Sequence, residues 1–190
     1  MNKISNVCIY CGDKASTKDH VPPKCFLDKP YPENLRTVPA CRNCNNSFSS
    51  DEEFAMYLAD YLSSIEHYNG EFTRQKAEAT FNYNNKLEDR MLGSLKCDAE
   101  GNVFFGLEHE RLNRIIGKVA LGLLFLEYGS PKLITISNFI PVSQLTPPQA
   151  LAFGEIKWIV VQNYRFQYAI LKPFIVFLIN SILYCVVQYE

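Results

Sequence analysis

Two C-x-x-C pairs, Cys8/Cys11 and Cys41/Cys44, stand 29 residues apart in an opening segment with almost no periodic hydrophobicity. Residues 1–50 are dense in Cys, Pro, Lys and Asn, so apolar burial is a poor candidate for what holds them together. A metal ion is a better one. Each pair can sit on a tight turn whose two sulfurs converge, and four thiolates then present a tetrahedron to one Zn²⁺ with no open position, the mark of a structural site. The chain has seven cysteines, an odd number, and Cys25, Cys97 and Cys185 have no comparable partners. Its first residues, MNKISNVCIYCG, lack the apolar stretch of a signal peptide, so a disulfide framework is the poorer reading and a cytoplasmic location is expected. Thiol-redox chemistry is the remaining alternative for the two pairs, and a bound zinc would exclude it.

The character of the chain changes near Ser50. Ser50-Asp51-Glu52-Glu53 reads as a capping-box start, and Phe54, Tyr57, Leu58, Tyr61, Leu62 and Ile65 follow at helical spacing. This predicts an amphipathic helix ending near Asn69-Gly70. A second, less regular helical region is expected over 71–94, then a hairpin from Lys96 to Gly106 around Asp98-Ala99-Glu100-Gly101-Asn102. Glu108 to Tyr128 carries Leu112, Ile115, Ile116, Val119, Leu123 and Leu126 in helical register and stops at Gly129, with Gly117 and Gly122 as unexplained interruptions. Leu133–Ile140 and Ile156–Glu190 read as β-rich, separated by a polar, proline-rich interlude at Pro141–Pro148. The apolar run Pro173–Val187 is shorter than the ~20 residues of a spanning helix. With Asn180-Ser181 at its middle, it fits two short buried strands and a turn, so no membrane association is expected. The expected fold is α+β: a zinc-stabilised module over 1–53, then a mixed helix and antiparallel-sheet domain over 54–190.

Between the cysteine pairs lies Asp19-His20-Val21-Pro22-Pro23-Lys24-Cys25-Phe26-Leu27, then Asn34-Leu35, and directly after the last cysteine Asn45-Asn46. Hydrolysis of a phosphodiester requires a base for the attacking water and a divalent cation for the developing charge. His20 can be the base, since an imidazole titrates near neutral pH and Val21-Pro22 place it on a strand. Asp19 is a hard oxygen ligand suited to Mg²⁺, and Asn45 offers a second oxygen that the zinc staple would bring back toward Asp19. Asn43 and Asn46 compete with Asn45 for that position.

In this order the residues resemble the HNH nucleases, which use a ββα-metal fold. The family pattern is a C-x-x-C, an acidic residue plus His in a (D/E)-H-(I/V)-x-P context, an Asn, and C-x-x-C-N. It is matched by Cys8/Cys11, Asp19-His20-Val21-Pro22-Pro23, Asn34 and Cys41/Cys44/Asn45. The resemblance covers residues 8–53. It implies a metal-dependent endonuclease with His20 as general base, and Asp19 and Asn45 holding one Mg²⁺ or Mn²⁺. Asn34 orders the loop that positions His20, and nucleic acid, DNA before RNA, is the substrate. Asn45 replaces the last His of the signature, which favours an oxygen-preferring metal. The glycine pair common after the proline is absent.

Charge adds little. Net charge is −1, with a balance of +3 over residues 1–50 and −4 over the remainder. Lys24 and Arg42 are the cations placed to contact phosphates, although solvated charge is the ordinary role of any one of them. The simplest account of Asp51-Glu52-Glu53 is a favourable interaction with its own helix N-terminus. His67 and His109 read as surface residues and Cys25 as packing. A competing reading of the whole module is a non-catalytic zinc ribbon that binds nucleic acid or a protein partner. One catalytic centre would cut both strands of a duplex only as a dimer or in two encounters, so a homodimer is a further expectation.

Overall fold

The computed structural model describes residues 6–67, 95–97, 103–105 and 109–190. Strand β1 (Thr17–Val21) pairs antiparallel with β2 (Arg36–Ala40), His20 opposite Thr37 and Val21 opposite Arg36. The connection carries one 3₁₀ turn, Lys24–Phe26, which buries Phe26 and Leu27. Helix α1 (Arg42–Ser47) follows at once, then the long helix α2 (Ser49–His67). A short antiparallel pair, β3 (Leu95–Cys97) with β4 (Val103–Phe105), is the expected hairpin. Helix α3 (His109–Tyr128) leads into β5 (Ile134–Pro141), a 3₁₀ turn at Val142–Gln144 and helix α4 (Pro147–Gly154). Strands β6 (Ile159–Gln162), β7 (Phe166–Leu171), β8 (Phe174–Ile179) and β9 (Leu183–Tyr189) complete an antiparallel five-stranded sheet ordered β5-β9-β8-β7-β6. The helical region anticipated over 71–94 lies outside the described residues, as does the end anticipated for α2 near Asn69-Gly70.

The architecture is α+β, with a β-hairpin and long helix ahead of an antiparallel sheet, and the four cysteines gathered at one end. No helix among the described residues is long and apolar enough to cross a membrane. The Pro173–Val187 run forms β8 and β9. Between them Asn180 and Ser181 both adopt positive φ (55° and 57°), and Ile182 N–H donates to Ile179 O at 3.1 Å. This is the type I′ geometry that matches the twist of a tight hairpin.

Three features differ from the sequence reading. Helix α2 is not half-exposed over its first turns: every residue from Phe54 to Asp60 is buried. It passes between α3 and the segment around Phe26, and Ala55 and Ala59 allow the close approach on its minor faces. Helix α4 begins inside the proline-rich interlude read at Pro141–Pro148 and runs on to Gly154, where the sequence offers no element. Thr146 starts it, with Gln149 Oε1 accepting from the Thr146 N–H at 2.9 Å and Pro147 in the first turn, where a missing N–H costs nothing. Third, α3 does not belong to the sheet alone. A single buried cluster runs from Ile9, Val21 and Val38 through Tyr57 and Ile115 to Phe177 and Val187, with α3 at its centre. The compositional boundary near residue 53 accordingly falls within α2.

Gly122 explains one of the interruptions in α3. A Cβ there would lie 2.6 Å from Val21 Cγ2, so glycine lets the helix press against β1 next to His20. Gly117 has open space, and nothing in the structure explains it.

The sheet and the N-terminal hairpin are also joined by polar groups. Asp28 accepts from Arg165 Nε at 2.5 Å, and its N–H donates to Gln162 Oε1 at 2.8 Å. Asn180 Nδ2 donates to Asp60 Oδ1 and to Ala59 O, which ties the β8–β9 turn to α2.

Candidate metal centre and the residues around His20

The first cysteine pair lies on a knuckle. Cys8 N–H donates to Asp13 O at 2.7 Å and Gly12 N–H to Cys8 O at 3.0 Å. The turn needs a left-handed residue, supplied by Gly12 at φ +83°. Ile9 N–H donates to Pro39 O, docking the knuckle on β2 just before the second pair. There Cys41 caps α1, its Sγ accepting from the Cys44 N–H at 3.3 Å. The four Sγ atoms lie within 4.8 Å of one another. Cys11 and Cys41 are 3.7 Å apart, which suits a tetrahedron with Zn–S bonds of about 2.3 Å, whose edges are about 3.8 Å.

The thiol electrostatics point the same way. At Cys8 burial works to raise the thiol, but backbone hydrogen bonds from Cys41, Tyr10 and Cys11 outweigh it and bring it down to about 7. Burial and the neighbouring sulfurs push Cys44 well above the usual thiol range. Four thiols this close cannot all ionise without a cation, and a divalent ion supplies it. Among the described residues these cysteines are the one group of three or more His, Cys, Asp or Glu side chains close enough to share a metal. The zinc reading of the two pairs therefore stands on geometry as well as spacing.

Adjacent residues of a strand face opposite ways, and β1 places Thr17, Asp19 and Val21 toward the helices and His20 on the other face. His20 is partly buried. Burial lowers its pKa first, and Lys24 and Lys118 add to this against the opposing pull of Asp19, so the imidazole is neutral at pH 7. Asn45 sits on α1 with Nδ2 donating to Thr17 Oγ1 at 3.2 Å and to Lys18 O at 3.5 Å. It thereby stitches the helix to the start of β1, through Thr17 on the face opposite His20. Asn43 and Asn46 are exposed, which leaves Asn45 as the one of the three that faces the strand. Asn34 is exposed on the turn before β2. Lys24 is exposed with its ammonium 5.2 Å from the Tyr31 ring centre, and Arg42 is exposed at the first position of α1.

Asp19 is buried, and both of its oxygens are taken. Tyr10 OH donates to Oδ2 at 2.8 Å, and Lys118 Nζ lies 2.9 Å from Oδ2 and 3.1 Å from Oδ1. Lys118 also donates to Glu52 Oε1, and its ammonium lies 5.0 Å from the centre of the Phe48 ring. The Asp19 and Asn45 donor set, as arranged, does not fit a divalent ion, because an ammonium within 3.1 Å of both carboxylate oxygens would repel it. Asp51, next to Glu52, is clamped by Arg111 and Arg114 at 2.7 and 2.6 Å. Those hydrogen bonds hold its carboxyl below the usual range against the opposing effect of burial. The acidic run at the start of α2 thus pairs with α3 as well as lying at a helix N-terminus.

Compared with known proteins, the chain matches no family model, no curated sequence and no solved structure. The resemblance to HNH nucleases therefore rests on the ordered residues of the sequence alone. Sequence reasoning missed Lys118, Tyr10 and Glu52 as members of this centre. A signal for Lys118 was present: it is a lysine among Ile115, Ile116 and Val119 on a helix with a wide apolar face, where a charge requires a buried partner.

Proposed function

We propose that residues 8–53 form an HNH-type endonuclease module that hydrolyses phosphodiester bonds of nucleic acid, with His20 as the general base. The observation that carries this reading is the placement of Asn45. The cysteine cluster sets the start of α1, and α1 lays Asn45 against Thr17 and Lys18 of the same strand that carries His20, whose pKa is lowered chiefly by burial. Hairpin, helix, histidine and asparagine then follow in the order the ββα-metal nucleases use. In this reading the neutral imidazole of His20 takes a proton from the attacking water, and the exposed Lys24 and Arg42 meet phosphates on either side of the cut. The zinc is structural, and the divalent ion that the hydrolysis requires would have to arrive with the substrate phosphates, because Asp19 is already held by Lys118. The test is incubation of zinc-loaded protein and a His20→Ala variant with supercoiled plasmid, single-stranded DNA and RNA, in Mg²⁺, Mn²⁺ and metal-free buffer. The reading expects cleavage by the wild type and none by the variant, with zinc content equal in both. Equal cleavage by both would remove His20 from the chemistry.

A second reading is favoured by the full engagement of Asp19. A buried carboxylate bonded by Tyr10 and Lys118 is also what a non-catalytic zinc module would retain for stability, its role being to bind nucleic acid or a protein partner. Retarded migration of DNA or RNA without cleavage under every condition would favour this second reading.

A further inference from the structure

Lys118 is among the least exposed charged side chains described, at 1%, and it projects from a helix whose neighbouring positions are Ile115, Val119 and Gly122. Two carboxylates from different elements, Asp19 on β1 and Glu52 on α2, converge on its ammonium, and the face of Phe48 covers another side. Asp19 grips it with both oxygens, the way a carboxylate grips a small cation. We propose that Lys118 is the resident cation of this centre: its ammonium takes the place of a divalent ion at Asp19, and the protein binds zinc at its cysteines but no second metal beside His20.

The argument is one of charge and space. Two carboxylates and one ammonium leave a single net negative charge in a buried site. Bringing in a divalent ion with Lys118 in place would set two cations against the same oxygens. Bringing it in without Lys118 would require the ammonium to leave, although packing on β1 and α2 holds α3 in position and the side chain is enclosed. Paired carboxylates around an enclosed point are what oxygen-preferring divalent ions select, so Lys118 conceals a latent cation site as well as stabilising the buried Asp19 and the partly buried Glu52. This inference uses the nuclease reading only to mark Asp19 as the place where a metal would be expected. Its test reads metal binding and does not depend on activity.

The experiment is a Mn²⁺ titration of the zinc-loaded full chain followed by electron paramagnetic resonance, with wild type, Asp19→Asn, Lys118→Met and the Lys118→Met/Asp19→Asn double variant. The wild type is expected to hold no Mn²⁺ at stoichiometric level and to match Asp19→Asn. Lys118→Met is expected to gain one Mn²⁺ per chain, with affinity raised more than about tenfold because two carboxylates are released to it. The double variant is expected to lose that gain. Stoichiometric Mn²⁺ on the wild type, abolished by Asp19→Asn, would overturn the proposal even if Lys118→Met does not fold. A folded Lys118→Met that binds Mn²⁺ no better than the wild type would overturn it equally. Absence of nuclease activity in every sample would count against the proposed function and leave these metal-binding outcomes intact.

Discussion

The cysteine knuckles and the C-terminal sheet achieve order by opposite means. Around Cys8 and Cys41 the separate buried cluster is only Cys8, Ala40 and Cys41, and the local structure is a set of turn hydrogen bonds converging on four sulfurs. In the sheet, β9 buries every second residue from Leu183 to Tyr189, and β8 buries five in a row from Ile175 to Ile179. Phe166 stacks on Phe177 there at 5.8 Å, between fully buried aliphatic neighbours. Ligand charge defines the first region and apolar area defines the second. Such regions should fail under different insults, unless the helix they share couples them.

The largest expected effect is loss of the metal. Structural zinc sites in small modules contribute roughly 10–16 kcal/mol of folding free energy. Cys41→Ala is expected to abolish zinc binding by metal analysis and to remove amide protection from residues 8–48, with protection in β7–β9 surviving. A variant that keeps one zinc would refute the four-sulfur site. Next comes Phe177→Ala, which should cost about 3–5 kcal/mol in chemical denaturation by opening a cavity in the sheet, with zinc content unchanged. If zinc is lost as well, the two regions are a single unit.

Gly122→Ala probes the coupling directly. The added methyl meets Val21, and relieving the clash should cost about 1–3 kcal/mol while displacing β1. The reading is a lower unfolding midpoint together with shifted His20 ring resonances. Unchanged resonances would mean that α3 yields instead of the strand. The smallest effect is that of pH on His20. Its folded pKa lies below the unfolded value of about 6.5, so the unfolded chain binds the proton more readily. The contribution to stability is therefore present above pH 6.5 and is lost as pH falls from there to the folded pKa. An NMR titration midpoint above 6.5 would reverse that sign.

Much of the hairpin and sheet was legible in the residues because their signals are local. The alternation from Leu183 to Tyr189 and the Asn180-Ser181 pair mark a hairpin without reference to any other part of the chain. The zinc ligands were legible for the same reason, since two C-x-x-C pairs each impose their own turn. Helix α4 was not, because an eight-residue helix opened by two prolines offers too few turns for a periodic signal to rise above its loop-like composition.

The sequence by itself determined the four sulfur ligands, the strand that carries His20, the hairpin turn at Asn180-Ser181 and the α+β class. Only the tertiary structure decided what surrounds Asp19. Tyr10 and Lys118 reach it directly and Glu52 joins it through Lys118, which lies 99 residues away along the chain. Burial makes that meeting obligatory: a lysine drawn into the interior by the apolar face of α3 must find carboxylates there, and no spacing along the chain states which ones.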